Sequence, residues 1–283
     1  MQRSILSLKI IIFVLAFSLG CSSPCPKSPV SNATKEYTFV VAADPQLFWG
    51  SIENWQQTIK EINKISPDFV VVCGDMTNTE GDANEIGAYW ENAKKLSSGI
   101  KLYNVAGNHD IRAKHNRKDI DLYKKNYGSL YYSFIHKNSL FIILETGCMK
   151  NSNDGTNLYL AKKQIRWLGR ILADSYKAGY LNRFVFLHHP IILGEINENE
   201  EYFNLPVEFR NELLDQCSSH NVKFIFSGHL HQNRITQFKD ISLVTTGSCG
   251  KALQNSDLGF RVVRVSGTKV EHSFYILPDQ TLR

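Results

Sequence analysis

Five groups of polar residues in this 283-residue chain each follow a short hydrophobic segment. They are Asp44-Pro45-Gln46, Gly74-Asp75-Met76-Thr77-Asn78, Gly107-Asn108-His109-Asp110, His188-His189-Pro190 and Gly228-His229-Leu230-His231. The first three groups recur at intervals of about 30 residues, which is roughly the length of one βαβ unit. Because ligands bind at the carboxyl ends of strands in open α/β sheets, the spacing predicts that all five groups meet at one edge.

Together the groups supply two carboxylates, an asparagine, a glutamine and three histidines, a set typical of a metal site. Oxygen and imidazole ligands favour Mn, Fe, Zn or Ni over a thiolate-type centre. A carboxylate that bridges two cations about 3.5–4 Å apart is the arrangement used in phosphoryl transfer. Each motif alone has a simpler explanation, such as a helix cap, a turn or a packed histidine pair. Their order, each after a predicted strand, favours the metal site.

The elements that must position these groups alternate between strand and helix. Apolar residues at helical spacing (Ile52, Trp55, Ile59, Ile62) predict a first helix that stops at Ser66-Pro67. Further helices are predicted at 83–97, around 161–172 and at 207–217. Strands are predicted at 37–43, 69–73, 101–106, 131–136, 139–146, 183–187, 223–227, 234–238, 241–246, 260–265 and 270–275. One α/β (α+β) domain with a β-rich C-terminal part is the simplest interpretation.

The ordered set of motifs resembles the calcineurin-like metallophosphoesterase superfamily, and the likeness extends from about residue 37 to 275. Finer likenesses to serine/threonine phosphatases of that superfamily lie at 42–46, 201–205 and 258–263. The resemblance implies a four-layer αββα sandwich of mixed sheets flanked by helices. It also implies hydrolysis of a phosphoester, in which two cations lower the pKa of a shared water.

The resemblance further implies how the ligands divide between two ions, each Mn, Fe or Zn. Asp75 bridges both ions. The first site is completed by Asp44, Gln46 and His231. The second site is completed by Asn108, His188 and His229. Gln46 stands where most members of the superfamily carry a histidine, and an amide oxygen is a weaker ligand than imidazole for these metals.

The resemblance also implies roles other than metal binding. His109 faces the phosphate as a general acid and is not a ligand. His189 then lies outside the ligand set, and Asp110 either orients His109 or caps a helix. The substrate residues are expected to be Asn108, Tyr202, Phe203 and Asn204. For the last three a packed loop is the alternative, as it is for Phe48 and Trp49.

The expected reaction is hydrolysis of a phosphomonoester. A phosphodiesterase acting on nucleotides or lipid head groups shares the same motifs and stays open as an alternative. A lipid-anchored binding protein without catalysis is a further alternative, and loss of ligands would be its signature.

The first residues resemble an export signal. Arg3 and Lys9 precede the apolar run 10–19, which is too short to span a bilayer core of about 30 Å. Gly20-Cys21-Ser22 then resembles a bacterial lipobox, with an ordinary signal peptide as the alternative. We therefore expect a signal peptide at 1–20, a polar tether at 21–36 and the phosphoesterase domain at 37–283. The expected location is extracytoplasmic, on the bacterial cell envelope. The protein is expected to be anchored to the membrane by a lipid attached to Cys21.

Charge and cysteine content limit the other possibilities. The formal charge is +5, and removal of Arg3 and Lys9 leaves 30 basic against 27 acidic residues. Such a mild excess gives no reason to expect nucleic acid as a partner. The chain has six cysteines but no C-x-x-C pair, so a zinc ribbon is not indicated. Cys73 is expected to be buried packing, while a disulfide among Cys25, Cys148, Cys217 and Cys249 is left open.

Overall fold

The computed structural model describes residues 36–278, which form two β-sheets and the helices that cover them. In chain order the elements are β1 (Tyr37–Ala42), α1 (Ile52–Ile65), β2 (Phe69–Val72), α2 (Ala83–Ala93), β3 (Lys101–Asn104), α3 (Arg117–Tyr127), β4 (Tyr132–His136), β5 (Ser139–Ile143), α4 (Gly147–Lys150), α5 (Gly155–Lys177), β6 (Asn182–Phe186), α6 (Val207–Ser219), β7 (Phe224–Ser227), β8 (Arg234–Phe238), β9 (Ile241–Thr245), β10 (Gly259–Ser266) and β11 (Lys269–Ile276). The predicted signal peptide, most of the tether and Cys21 lie outside the described residues. Within 36–278, no helix combines the length and the apolar character needed to cross a membrane.

Both sheets are mixed, and their central strands are parallel. The first has the order β11-β10-β1-β2-β3, with β1, β2 and β3 parallel and β10 antiparallel to β1. The second has the order β4-β5-β6-β7-β9-β8, with β5, β6, β7 and β9 parallel. The carboxyl ends of the parallel strands therefore gather the loops that carry the predicted ligands, as expected for this kind of sheet.

The two sheets face each other across a core of aromatic rings. Phe39 on β1 is fully buried and stacks on Phe69 of β2, with ring centroids 5.2 Å apart. Across the interface, Phe39 meets Phe141 and Phe184 edge to face at 5.5 and 5.3 Å. The neighbouring residue, Val40, points to the other side of β1, because successive side chains of a strand alternate between faces.

Helices cover the outer face of each sheet. Trp55 and Ile59 of α1 pack with Tyr89 of α2 against the first sheet. Helices α5 and α6 pack against the second sheet through residues such as Leu168 and Leu213. The predicted four-layer αββα arrangement is thus confirmed, and it places the ligand-bearing loops at one end of the two central sheet layers.

Two helices differ from the sequence predictions. Helix α3 was not predicted, because its residues are mostly polar and only Tyr123 is buried. Asn116 starts this helix by accepting a hydrogen bond from the N–H of Asp119, so a side-chain cap rather than an apolar stripe marks it. Helix α5 is longer than its apolar pattern indicated and runs for 23 residues from its cap at Asp154.

The cysteines of the described residues are not joined to one another. Cys73, Cys148, Cys217 and Cys249 are all buried and free. Cys25 lies outside the described residues. Of the disulfides that the sequence left open, none forms among Cys148, Cys217 and Cys249. Burial raises the pKa of each of these thiols, which keeps them protonated.

Replacing Phe39 by alanine tests the aromatic core. We expect Phe39→Ala to lower the free energy of unfolding by about 3–5 kcal/mol, because the change removes a fully buried ring between the sheets. Urea unfolding measures this loss. The control Ile235→Ala, at an exposed side chain of β8, should change stability by less than about 0.5 kcal/mol. Equal losses in the two variants would contradict the assignment of the core.

Candidate metal centre

The backbone of the predicted ligand loops is held in an uncommon conformation. Asp44, Gln46, Asp75, His229 and His231 all have positive φ angles, between 37° and 72°. A left-handed backbone costs a non-glycine residue on the order of 1–3 kcal/mol and persists only where surrounding contacts impose it. Five such residues within the predicted ligand set indicate that the fold fixes these side chains before any ligand arrives.

Two of the motif glycines are needed because the loops pass very close to one another. Gly74 has a φ of 89°, and a Cβ there would collide with the ring of His188. A Cβ on Gly107 would collide with the carboxylate of Asp75. The Gly-Asp and Gly-Asn steps in the sequence therefore reflect contact between ligand loops rather than isolated turns.

The residues of the predicted second site bring their potential ligand atoms together around His188. Its Nε2 lies 2.9 Å from Oδ1 of Asn108, 3.3 Å from Oδ2 of Asp75 and 3.1 Å from Nδ1 of His229. The Nδ1–H of His188 donates to the carbonyl oxygen of Cys73 at 2.8 Å, so Nε2 is the nitrogen that faces the cluster. This pairing of one ring nitrogen with a carbonyl is the usual way a metal-binding imidazole is oriented.

His229 is oriented in the same manner by a different loop. Its Nε2 lies 3.3 Å from the carbonyl oxygen of Tyr202, and its Nδ1 points toward His188. The N–H of His229 also donates to the carboxylate of Asp44 at 2.9 Å. The loop that carries Tyr202 is therefore part of the metal centre's framework.

The residues of the predicted first site are buried. His231 donates from Nδ1 to the carbonyl oxygen of Lys251 at 2.6 Å, and its Nε2 lies 3.8 Å from Oδ1 of Asp44. Gln46 donates from Nε2 to Asn78, whereas its Oε1 is buried without a hydrogen-bond partner. A buried carbonyl oxygen without a partner costs about 1–3 kcal/mol, and a cation would satisfy it. This observation supports Gln46 as a ligand.

The charges of the buried carboxylates reflect their surroundings. Burial alone would raise the pKa of Asp75, but the neighbouring His188 outweighs it and holds this pKa at about 2. Burial raises the pKa of Asp44 to about 6, although His231 and His188 oppose the increase. Burial, and then the positive charge of His188, lower the pKa of His229 to about 3. A neutral His229 and an ionised Asp75 are the forms that bind metal.

These donors fit a metal centre. The groups Asp44–Asp75–His188 and His188–His189–His229 each bring their ligand atoms within 4.8 Å of one another, and all are buried. Carboxylate oxygens, amide oxygens and oriented imidazoles are the ligands of Mn, Fe and Zn. The structure thus brings Asp44, Gln46, Asp75, Asn108, His188, His229 and His231 to one place.

His109 lies beside the ligands and is held by the loop after β2. Its N–H donates to Oδ1 of Asp75 at 2.9 Å, and its Nδ1–H donates to the carbonyl oxygen of Asn78 at 2.7 Å. The Nε2 of His109 is therefore the nitrogen available to carry a proton. Asn78 positions both His109 and Gln46, a role that was not recognised although the residue stands in the second motif.

Asp110 has a different role from either predicted one. Its Oδ2 accepts hydrogen bonds from the N–H groups of Asp75 and Gly107, both at 2.8 Å. Its Oδ1 accepts from those of Met76 and Thr77, at 2.9 and 3.3 Å. None of these hydrogen bonds goes to the ring of His109. Asp110 does not cap α3 either, because the N-cap of that helix is Asn116. Asp110 instead ties the loop after β2 to the loop after β3.

His189, which was predicted to lie outside the ligand set, belongs to the histidine cluster. Its ring lies 4.5 Å from that of His229, between centroids. Its Nδ1 lies 2.9 Å from the hydroxyl oxygen of Thr146, which also accepts the N–H of His189 at 3.2 Å. Burial, and then the nearby His229 and His188, lower the pKa of His189 well below its usual value, so it is neutral.

The predicted substrate residues divide into two kinds. The hydroxyl oxygen of Tyr202 lies 3.4 Å from Nδ2 of Asn108, and the Tyr202 ring lies 4.8 Å from the ring of His229. Phe203 packs on Tyr202 at 5.2 Å. Asn204, by contrast, is buried, and its amide bonds to Glu198, Asn199 and Glu201 within its own loop. Asn204 therefore shapes the loop and does not line the cleft.

Comparison with known proteins agrees with this geometry. The family model for calcineurin-like phosphoesterases matches residues 37–233. The serine/threonine-protein phosphatase CPPED1 of Rattus norvegicus is 28% identical over 273 residues, which cover 88% of this chain and 87% of the relative.

Solved structures share the fold at low sequence identity. Purple acid phosphatase PPD1 from yellow lupin (Lupinus luteus) superposes with a TM-score of 0.69 at 13% identity, covering 92% of this chain and 54% of that one. GAP50, the anchor in the inner membrane complex of Plasmodium, superposes with a TM-score of 0.62 at 18% identity, covering 87% and 86%. At this identity the structures establish the fold alone.

Replacing Asp110 by asparagine tests the tie between the two loops. One carboxylate oxygen becomes an NH₂ group that faces two backbone N–H groups, so we expect Asp110→Asn to destabilise the protein by on the order of 3 kcal/mol. Urea unfolding in excess chelator separates this effect from metal binding. The control Asp121→Asn removes an exposed carboxylate and should have little effect. An unchanged midpoint for Asp110→Asn would rule out the tie.

Proposed function

Because the chain belongs to the calcineurin-like phosphoesterase family, we propose that this phosphoric ester hydrolase is a metal-dependent phosphomonoesterase. The observation that carries the proposal is the cluster of ligand atoms of Asn108, Asp75 and His229 within 3.3 Å of Nε2 of His188. These nitrogen and oxygen atoms can all present lone pairs to a bound cation, which would hold the cluster together without a hydrogen-bond donor. The name of the rat relative, a serine/threonine-protein phosphatase, supports a monoester substrate.

We infer that the site holds two cations, each Mn, Fe or Zn, because the side chains offer oxygen and imidazole ligands. Asp75 would bridge them, with Asp44, Gln46 and His231 on the first and Asn108, His188 and His229 on the second. When bound, such a pair activates water for attack on phosphorus and neutralises charge on the phosphoryl oxygens. The complete ligand set favours catalysis over the alternative of a binding protein on the same fold.

The chain's own residues supply positioning and a proton. His109 is fixed by Asp75 and by the carbonyl of Asn78, so a protonated Nε2 can donate to the leaving oxygen. The amide of Asn108 stands beside the hydroxyl of Tyr202 and can donate to a phosphoryl oxygen. The buried loops around Asp75 and His188 limit the access of bulk water, which strengthens these interactions.

We also propose that the enzyme is exported and tethered to the bacterial envelope through lipid at Cys21. The support is the leader sequence together with the direction of β1. The predicted tether 21–36 leads directly into Tyr37, whereas Asp44 lies beyond the opposite end of that strand. Six residues at about 3.3 Å each separate the two ends by about 20 Å. The catalytic loops would therefore face away from the membrane.

Metal removal combined with a His109 variant tests the proposed reaction. With p-nitrophenyl phosphate and a phosphoserine peptide, activity should vanish after chelation and return with Mn²⁺ or Fe²⁺. His109→Ala should lower kcat by about 10²–10⁴-fold while elemental analysis finds unchanged metal content, because His109 is not a ligand. Full activity in metal-free protein would refute the proposal. Faster turnover of bis(p-nitrophenyl) phosphate than of the monoester would instead favour a phosphodiesterase.

Replacing Cys21 by alanine tests the anchor. We expect Cys21→Ala to move the protein from the membrane fraction to the soluble extracytoplasmic fraction, because no lipid can then be attached. Intact-mass measurement of the wild type should show cleavage before Cys21 and the added mass of acyl chains. An unmodified Cys21 in the mature wild-type protein would contradict the lipid anchor and favour an ordinary signal peptide.

A further inference from the structure

Three aromatic side chains stand exposed beside the histidines of the metal centre. Trp49, Tyr202 and Phe203 are 38%, 61% and 36% exposed. Trp49 lies against His231 of the first site, with ring centroids 5.2 Å apart. Tyr202 and Phe203 lie against His229 of the second site, at 4.8 and 5.8 Å. Aromatic rings therefore border the ligand cluster on both sides.

The placement of these rings differs from that of ordinary surface residues. Among residues 36–278, six aromatic side chains are exposed, and four of them lie on the two loops next to the metal centre: Phe48, Trp49, Tyr202 and Phe203. The other two, Tyr159 and Tyr176, lie apart on α5. Scattered apolar residues need no explanation, but a group at a site mouth indicates a ligand.

The loop that carries Tyr202 and Phe203 is rigidly held. Arg210 of α6 is fully buried, and its guanidinium donates to the carbonyl oxygens of Ile196, Glu198, Asn199 and Leu205. The Nζ of Lys150 donates to the carbonyl oxygens of Glu201 and Asn204, on either side of the two aromatic residues. The rings are therefore presented to the cleft at little further entropic cost on binding.

Trp49 is held on the opposite side. The backbone N–H of Trp49 donates to the carbonyl oxygen of Gln46 at 3.2 Å. The Nζ of Lys251 lies over the Trp49 ring, 4.4 Å from its centroid. Lys251 also orients His231 through its carbonyl oxygen. The ring and the ammonium group thus form one surface beside the first site, suited to a planar organic group that carries a phosphate.

We propose that these rings form a subsite for an aromatic group close to the phosphate, so that the preferred substrates are phosphomonoesters of aromatic alcohols. The inference rests on the proposed phosphomonoesterase function. Because the rings contact the ligand imidazoles directly, a ring one or two bonds from the ester oxygen reaches them. An aromatic group at the end of a long flexible linker would extend past them.

A pair of matched substrates tests the subsite. Benzyl phosphate and cyclohexylmethyl phosphate have similar size and release alcohols of similar acidity, but only the first is planar. We expect kcat/KM of the metal-loaded enzyme to favour benzyl phosphate by about 2- to 10-fold, the effect of an aromatic pair beyond its buried area. In Trp49→Leu and Tyr202→Leu this ratio should fall toward one. The control Tyr159→Leu, at an exposed ring on α5, should keep the wild-type ratio.

Binding of non-hydrolysable analogues separates the two proposals. Benzylphosphonate should bind more tightly than cyclohexylmethylphosphonate, with the same dependence on Trp49 and Tyr202. Equal kcat/KM for the two phosphates, with both hydrolysed, overturns the aromatic subsite and leaves the phosphomonoesterase in place. Failure to hydrolyse either phosphate, with benzylphosphonate still preferred, overturns the proposed reaction and supports the subsite. An unchanged ratio in both leucine variants also overturns the subsite.

Discussion

The buried carboxylate of Asp110 is the constraint on which the metal centre depends. Its two oxygens accept four backbone N–H groups, three from the loop after β2 and one from the loop after β3. Burial and the nearby Asp75 raise its pKa to about 8, whereas the N–H groups act in the opposite direction. Because both oxygens already accept two donors, the ionised form is the one that fits. Asp75 and Asn108 are thereby fixed relative to each other.

Backbone carbonyl groups then orient the imidazoles across the gap between the sheets. His188 lies after β6 of the second sheet but donates to the carbonyl oxygen of Cys73, which follows β2 of the first sheet. His231 donates to the carbonyl oxygen of Lys251, in the loop before β10. His229 is held by Tyr202, in the loop before α6. Each of these imidazoles is therefore oriented by an element other than its own, so the cluster takes this geometry only when the two sheets have come together.

Much of this organisation could be predicted from the sequence. The apolar runs 69–73 and 183–187 identified buried strands, and the polar groups after them located the site. What escaped prediction depends on contacts distant in sequence. Nothing local to Asp110 reveals that its partners are the N–H groups of Asp75, Met76 and Thr77, and a short sequence likeness could not show that Asn204 is buried. Helix α3 was missed because a polar helix held by its cap lacks an apolar stripe.

One loop links the proposed aromatic subsite to the candidate metal centre. The carbonyl of Tyr202 orients His229, while the ring of the same residue stands exposed at the mouth of the site. Any movement of the ring that shifts its backbone also disturbs His229, a candidate metal ligand. The loop is fixed by a fully buried arginine, Arg210, which donates four hydrogen bonds to loop carbonyls. Burying an unpaired guanidinium is expensive, and these four hydrogen bonds offset that cost only while the loop keeps this conformation. Arg210 therefore makes the conformation of the Tyr202 loop, and with it the geometry of His229, a condition of stable folding.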